Sequence, residues 1–130
     1  MKKYLLFFAF LFLSIFTLSA QTKVRRVDAL TFKALIAEKK YILIDLRTDD
    51  EINNKGMIKG AQQIDFLSKD AEKQIEKLDR SKSYLIYCAG GGRSGECAEL
   101  MQKLGFREVV DLEKGYDDWK RKGLETSQRK

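Results

Sequence analysis

The run Tyr84-Leu85-Ile86-Tyr87-Cys88-Ala89-Gly90-Gly91-Gly92-Arg93-Ser94 constrains this chain more than any other stretch. An apolar, aromatic segment ends at a cysteine, three glycines follow, and a helical pattern begins at Ser94, so a buried strand must turn into a helix at Cys88. Three consecutive glycines lose the most backbone entropy on folding and offer no side chain to pack; what they provide is close approach of backbone to a ligand. A plain turn needs one or two. Glycine-loop N–H groups that converge on a point, the positive end of the following helix and the Arg93 guanidinium all stabilise an anion at Cys88. The thiolate is the nucleophilic form of sulfur, so Cys88 is the candidate nucleophile, with Arg93 beside it. The competing reading is a strand-end cysteine that only packs; the glycine triplet weighs against it.

The first twenty residues read as a separate element. Met1-Lys2-Lys3 is a short basic region, Tyr4 to Leu18 is almost unbroken apolar sequence, and Leu18-Ser19-Ala20 ends in small residues. This is the pattern of a secretory signal peptide over 1–20, cut before Gln21, which leaves a single domain over 21–130 and an exported, periplasmic or secreted location. An uncleaved N-terminal anchor is the alternative, since Leu18 is large for its place; the apolar run is short against the roughly 20 residues of a bilayer span. Contact with a membrane is expected only if this segment is retained. No cysteine closely follows the run, which argues against a lipoprotein.

Cleavage would leave 23 basic against 19 acidic residues, reducing the net charge from +6 to +4. Acids and bases alternate along the chain, and the one basic cluster near the new N-terminus is Lys23, Arg25 and Arg26. No nucleic-acid partner is expected from so dispersed a charge. Mild basicity suits a small anionic substrate. The chain has no histidine and no cluster of acids or cysteines at ligand spacing, so no metal and no cofactor is expected. Cys88 and Cys97 lie nine residues apart. Cys97 shares a helical apolar face with Leu100, Met101 and Leu104, which reads as core; a resolving thiol for Cys88 is the other reading.

The remaining pattern alternates strands and helices. Asp28 caps a helix from Ala29 to Lys39 with Val27 and Phe32 as a staple. Tyr41 to Ile44 is a strand buried on both faces, and Thr48-Asp49-Asp50-Glu51 caps a short helix ending near Gly56. Gln62 to Phe66 is a weak strand, Asp70 to Leu78 a helix, and Ser83 to Tyr87 a second buried strand. The helix Ser94 to Leu104 ends at Gly105, Val109-Val110 is a strand, and Tyr116 to Lys122 is helical. This order predicts an α/β fold with a parallel sheet covered on both faces, whose ligands sit at the C-terminal ends of strands. Cys88 is at such an end.

Several segments in order resemble the rhodanese family over residues 25 to 124. Ile44-Asp45-Leu46-Arg47 is similar to its apolar-Asp-apolar-Arg segment, and Gly56 to Ala61 to its Gly-His-Ile-Pro-Gly-Ala. Tyr87 to Ser94 resembles the active loop; Leu104-Gly105-Phe106, Leu112 to Tyr116 and Trp119 resemble the closing segment. The resemblance implies a three-layer rhodanese-like domain with a central, mainly parallel five-stranded sheet and helices on both faces. It also implies a sulfurtransferase in which Cys88 takes a sulfane sulfur as a persulfide and passes it to a thiophilic acceptor, thiosulfate and cyanide being the usual assay pair. The residues agree with that chemistry. A persulfide would sit in a nest of N–H groups contributed by Ala89, Gly90, Gly91, Gly92 and Ser94, and no histidine base is required. The alternative is a non-catalytic module of the same fold that carries sulfur or binds a partner.

Four residues separate Cys88 from Arg93. Cysteine phosphatases and arsenate reductases use five around a tetrahedral oxyanion, so phosphate chemistry fits poorly; Asp45 and Glu96 are the only acids that the pattern offers as proton donors. Met57, Lys59 and Lys114 depart from the family's His, Pro and Gly. Ala89 stands where many members have a base, which favours a persulfide or polysulfide over dianionic thiosulfate as the small sulfur donor. An exported thiol needs a thiol-reducing or sulfur-relay protein as a partner. Arg93 has a plain alternative role, pairing with a carboxylate. Asp45 with Arg47, and Tyr116 with Trp119, read as structural.

Overall fold

The computed structural model of the protein describes residues 20–129. The expected signal peptide, apart from Ala20, lies outside the described residues. Among the described residues no helix is long and apolar enough to cross a membrane.

Five strands and five helices alternate: β1 (Lys23–Val27), α1 (Ala29–Ala37), β2 (Tyr41–Asp45), α2 (Asp49–Lys55), β3 (Gln62–Gln63), α3 (Ala71–Glu76), β4 (Ser83–Tyr87), α4 (Gly92–Lys103), β5 (Glu108–Leu112) and α5 (Gly115–Arg121). The strands form one sheet in the order β1-β5-β4-β2-β3, and every strand pairing within it is parallel. This is the expected α/β architecture.

Alternation along the strands divides the core into two layers. Tyr84, Ile86 and Cys88 face α4, packing with Cys97, Ala98 and Met101 and with Ile75 of α3. Leu85 and Tyr87 face the other way, packing with Phe32 and Leu35 of α1 and with Tyr116 and Trp119 of α5. β4 lies between β5 and β2, so the residue leaving its C-terminal end has sheet on both sides.

The helix caps follow their sequence signals. Asp28 accepts the Thr31 N–H, and Thr48 with Glu51 forms a complete capping box. Most element boundaries move by one or two residues from the pattern, and four elements differ in ways that bear on the site. β1 was expected only as a basic cluster, because adjacent Arg25 and Arg26 break the apolar alternation; it is an edge strand, where such charges are tolerated. β3 has two residues instead of five, yet the Ile64 and Phe66 N–H groups still bond the Asp45 and Leu46 carbonyls at 3.0 and 3.1 Å. α3 is trimmed at both ends. α4 begins at Gly92, two residues before Ser94, which draws the last glycine of the loop into the helix.

Candidate active site

β4 ends at Tyr87, and Cys88 follows as a nearly enclosed residue, 1% exposed. Two backbone amides point at its sulfur. The Gly91 N–H lies 3.1 Å from Sγ and the Ser94 N–H 3.4 Å. The thiol itself donates to Ser94 Oγ at 3.4 Å, and that hydroxyl donates to the Gly91 carbonyl at 3.3 Å. Gly91 and Ser94 open α4, so the sulfur sits at the positive end of a twelve-residue helix. Both N–H groups and the helix end stabilise negative charge on Cys88.

The loop is held from below by α5. The Tyr116 and Asp117 N–H groups, unpartnered within their own first turn, bond the Cys88 and Ala89 carbonyls at 2.8 and 3.0 Å. Glycine at 115 makes this possible. A Cβ there would stand 2.3 Å from the Ala89 carbonyl oxygen, and the residue has φ +68°. Gly91 is similarly required: at φ +102° it caps α4, and a Cβ would meet the Glu113 carbonyl oxygen at 2.0 Å.

Of the candidate residues, the fold brings Gly91 and Ser94 onto the sulfur. Ala89, Gly90 and Gly92 complete the turn; among the described residues they make no hydrogen bond to Sγ. Gly90 and Gly92 are exposed and border a groove of about 510 Å³ that also takes in Arg26, Glu96, Glu113 and Lys114. A separate apolar cavity of about 260 Å³, between Ile36, Ile58 and Trp119, belongs to the α1 layer, across the sheet from Cys88.

Arg93 forms a bidentate pair with Glu51 of α2, at 2.8 and 2.7 Å. That pairing lifts the Arg93 pKa further above its usual range and holds the Glu51 carboxyl down at about 2. Arg93 thus takes the alternative role expected of it, pairing with a carboxylate, and its charge is compensated. The sequence pattern accounts for Glu51 only as a helix-capping acid, a role it also fills, with its side chain receiving the Thr48 N–H.

Neither acid offered as a proton donor is poised for that role. Asp45 is fully buried and clasped by Arg47 through Nε at 3.0 Å and Nη2 at 2.7 Å. Arg47 also reaches the Gly56 carbonyl at 2.8 Å and lies 3.9 Å over the Tyr116 ring, so the pair ties β2 to the closing segment. Glu96 is exposed on α4. Cys97 packs in the α4 layer, where burial pushes its thiol up to about 12. Both cysteines are free.

Two residues near the loop escaped sequence reading. Arg26 of β1 donates from Nε to Asp111 Oδ2 at 2.8 Å and from Nη2 to the Gly91 carbonyl at 3.0 Å. Asp111 of β5 is fully buried. A charged residue on each of two adjacent strands was the only signal available, and their pairing depends on register: Arg26 lies directly opposite Asp111.

The geometry has relatives. A sequence model of the rhodanese-like domain matches residues 28–122. The chain is similar to a sulfurtransferase from Allochromatium vinosum, 32% identical over 103 residues that make up 78% of this chain and 92% of the relative. It is similar also to the thiosulfate sulfurtransferase GlpE of Coxiella burnetii, 25% identical over 74% of this chain and 87% of that one. Among solved structures, a rhodanese-related protein from Thermoplasma volcanium superposes with a TM-score of 0.71 at 28% identity, covering 81% of this chain and 99% of the other. The polysulfide-sulfur transferase homodimer of Wolinella succinogenes shares the fold with a TM-score of 0.68 at 23% identity, covering 82% and 80%.

Proposed function

The chain belongs to the rhodanese-like family, and on that premise we propose that it is a sulfurtransferase whose Cys88 carries sulfur as a persulfide. The observation that carries this reading is the convergence of the Gly91 and Ser94 N–H groups on Cys88 Sγ, at 3.1 and 3.4 Å. In the first half-reaction the Cys88 thiolate attacks the outer sulfur of a donor. A new S–S bond forms at Sγ, the donor's own bond to that sulfur breaks, and the leaving group departs with the electron pair. In the second, a thiophilic acceptor attacks the outer sulfur of the persulfide, and Cys88 leaves as a thiolate. Each step places negative charge near Sγ, where the amides and the α4 terminus counter it. No residue needs to act as a proton donor when the leaving groups are themselves stable anions.

The donor class follows from charge. Thiosulfate is a dianion, and the guanidinium of the loop itself, Arg93, is neutralised by Glu51. Ala89 adds no base to the loop. A hydropersulfide or a monoanionic polysulfide, each bringing a single charge, is therefore the proposed natural donor, with a thiol or another soft nucleophile as the acceptor. An exported location is part of the proposal and rests on the leader pattern in residues 1–20. In that setting a thiol-reducing or sulfur-relay protein keeps Cys88 in use.

Intact-mass measurement tests the reading. After incubation with polysulfide, wild type should gain the mass of one sulfur atom, Cys88→Ala none, and cyanide should remove the gain with release of thiocyanate. No gain with polysulfide, persulfide or thiosulfate rejects sulfur transfer. A gain without turnover assigns the chain to the sulfur carriers.

A further inference from the structure

The active loop is anchored to a strand outside it. Gly91 accepts three hydrogen bonds on its carbonyl, from the Gly95 N–H at 3.1 Å, the Ser94 hydroxyl at 3.3 Å and Arg26 Nη2 at 3.0 Å. The first two come from the helix that the loop itself opens. Arg26 comes from β1, separated by 65 residues in sequence. A run of three glycines has more backbone freedom than any other tripeptide, so a cradle made from it keeps its shape only under restraint from elsewhere.

Resting on the proposed sulfur transfer, we infer that Arg26 is a positioning residue for the sulfur cradle: anchored on Asp111, its guanidinium grips the Gly91 carbonyl and keeps the Gly91 and Ser94 amides aimed at Cys88.

Asp111 supports this assignment. It is a wholly buried carboxylate whose Oδ1 has no hydrogen-bond partner, an arrangement that a stabilising surface ion pair does not require. Desolvation raises its pKa, with Arg26 opposing. Tolerating such a group is understandable if its placement fixes the plane of the guanidinium. The planar fork then spans two acceptors at once, Nε on the acid and Nη2 on the loop, which a lysine ammonium on its flexible stem does not reproduce. The Arg26 side chain remains 48% exposed. It borders the groove beside the loop, so a small solute has access to its position.

The test uses Arg26→Gln, Arg26→Lys and Arg26→Ala in the full chain, each checked for folding by circular dichroism. Sulfur loading of Cys88 from polysulfide should slow about tenfold in Arg26→Gln, the size expected from losing one charge-assisted hydrogen bond. The donor concentration giving half-maximal rate should stay unchanged, because the cradle acts on charge developing at Sγ. Hydrogen exchange of the Gly91 amide in the reduced protein should accelerate in step. Millimolar guanidinium ion should restore loading in Arg26→Ala, a result that a role confined to fold stability would not give. Arg26→Lys should load at an intermediate rate, and it carries the test if Arg26→Gln does not fold. Wild-type loading and exchange in Arg26→Gln would overturn the inference; so would a loss seen wholly as a higher donor requirement, which would make Arg26 a donor-binding residue. If wild type loads from no donor, the sulfurtransferase reading fails, while Gly91 exchange still decides whether Arg26 holds the loop.

Discussion

Arg93 and Glu51 join the first turn of α4 to the first turn of α2 through two hydrogen bonds of 2.8 and 2.7 Å. The guanidinium that follows the cysteine loop is thereby tied to a carboxylate that also caps its own helix. Stability depends on this pair, and under the proposed sulfur transfer donor choice does too.

Its contribution to stability is pH-dependent with a definite sign. Glu51 titrates at about 2 against an ordinary 4.5, chiefly because Arg93 bonds the ionised form. A depressed acid lends stability that is complete above its unfolded value and lost as pH falls through the folded one. Urea unfolding should therefore show wild type losing stability between pH 4.5 and 2 more steeply than Glu51→Gln. At neutral pH the variant should be about 2 kcal/mol less stable, after allowing for solvent screening of a partly exposed pair. Gln retains the capping box, so loss of the cap does not confound the comparison.

The same substitution should alter donor preference. Freed from Glu51, Arg93 can meet an anionic donor, and the KM for thiosulfate should fall about fivefold, the upper range for a semi-exposed ion pair. Loading from an organic hydropersulfide, which carries at most a single charge, should change less. Steady-state rates with both donors check this, and equal effects on the two would show that Arg93 does not select by charge.

Cys97 is separable from Cys88. Its buried thiol is held near 12 against an ordinary 9.0, so the folded protein keeps a proton there that the unfolded chain gives up. Stability must then decline as pH rises from 9 towards 12. In Cys97→Ala that decline should be shallower by about 1.4 kcal/mol per pH unit. Sulfur loading at neutral pH should persist in the variant; its abolition would make Cys97 a participant in the chemistry.

Gly115→Ala should damage the loop from outside. The new methyl would lie 2.3 Å from the Ala89 carbonyl oxygen and 2.7 Å from the Gly90 nitrogen, at a positive φ. A destabilisation of about 3 kcal/mol is expected, combining left-handed strain with the clash. Thermal unfolding and loading rate should both fall. Gly123→Ala, with a similar φ of +70° and open space around it, should lose stability while loading at the wild-type rate.

What was legible in the sequence divides along physical lines. The strand ending at Tyr87 and the cysteine loop announce themselves locally, since a run of buried β-formers and a glycine triplet each point to one backbone course. The Asp28 and Thr48 caps were legible for the same reason. Arg26 and Asp111 were not: their roles arise from parallel pairing of β1 with β5 across 85 residues, and a lone arginine on a basic edge strand looks like solvent-facing charge. Glu51 shows how one side chain can hide a second task. Its position three residues after Thr48 accounts for it as a cap, and nothing in that spacing points to an arginine 42 residues away.

The Tyr116 and Asp117 amides that hold the Cys88 and Ala89 carbonyls belong to the last helix of the fold, and β1, which carries Arg26, pairs with the last strand. During synthesis β1 leaves the ribosome before Cys88, but β5, on which β1 is laid, and α5 leave after it. Until α5 docks, the Cys88 and Ala89 carbonyls lack these partners and the glycine loop is unrestrained from below, so the convergence of the Gly91 and Ser94 amides on Sγ waits for the final closure of the domain rather than for the appearance of the residue itself. A chain that lacks α5 would hold Cys88 without the cradle that the complete domain builds around it.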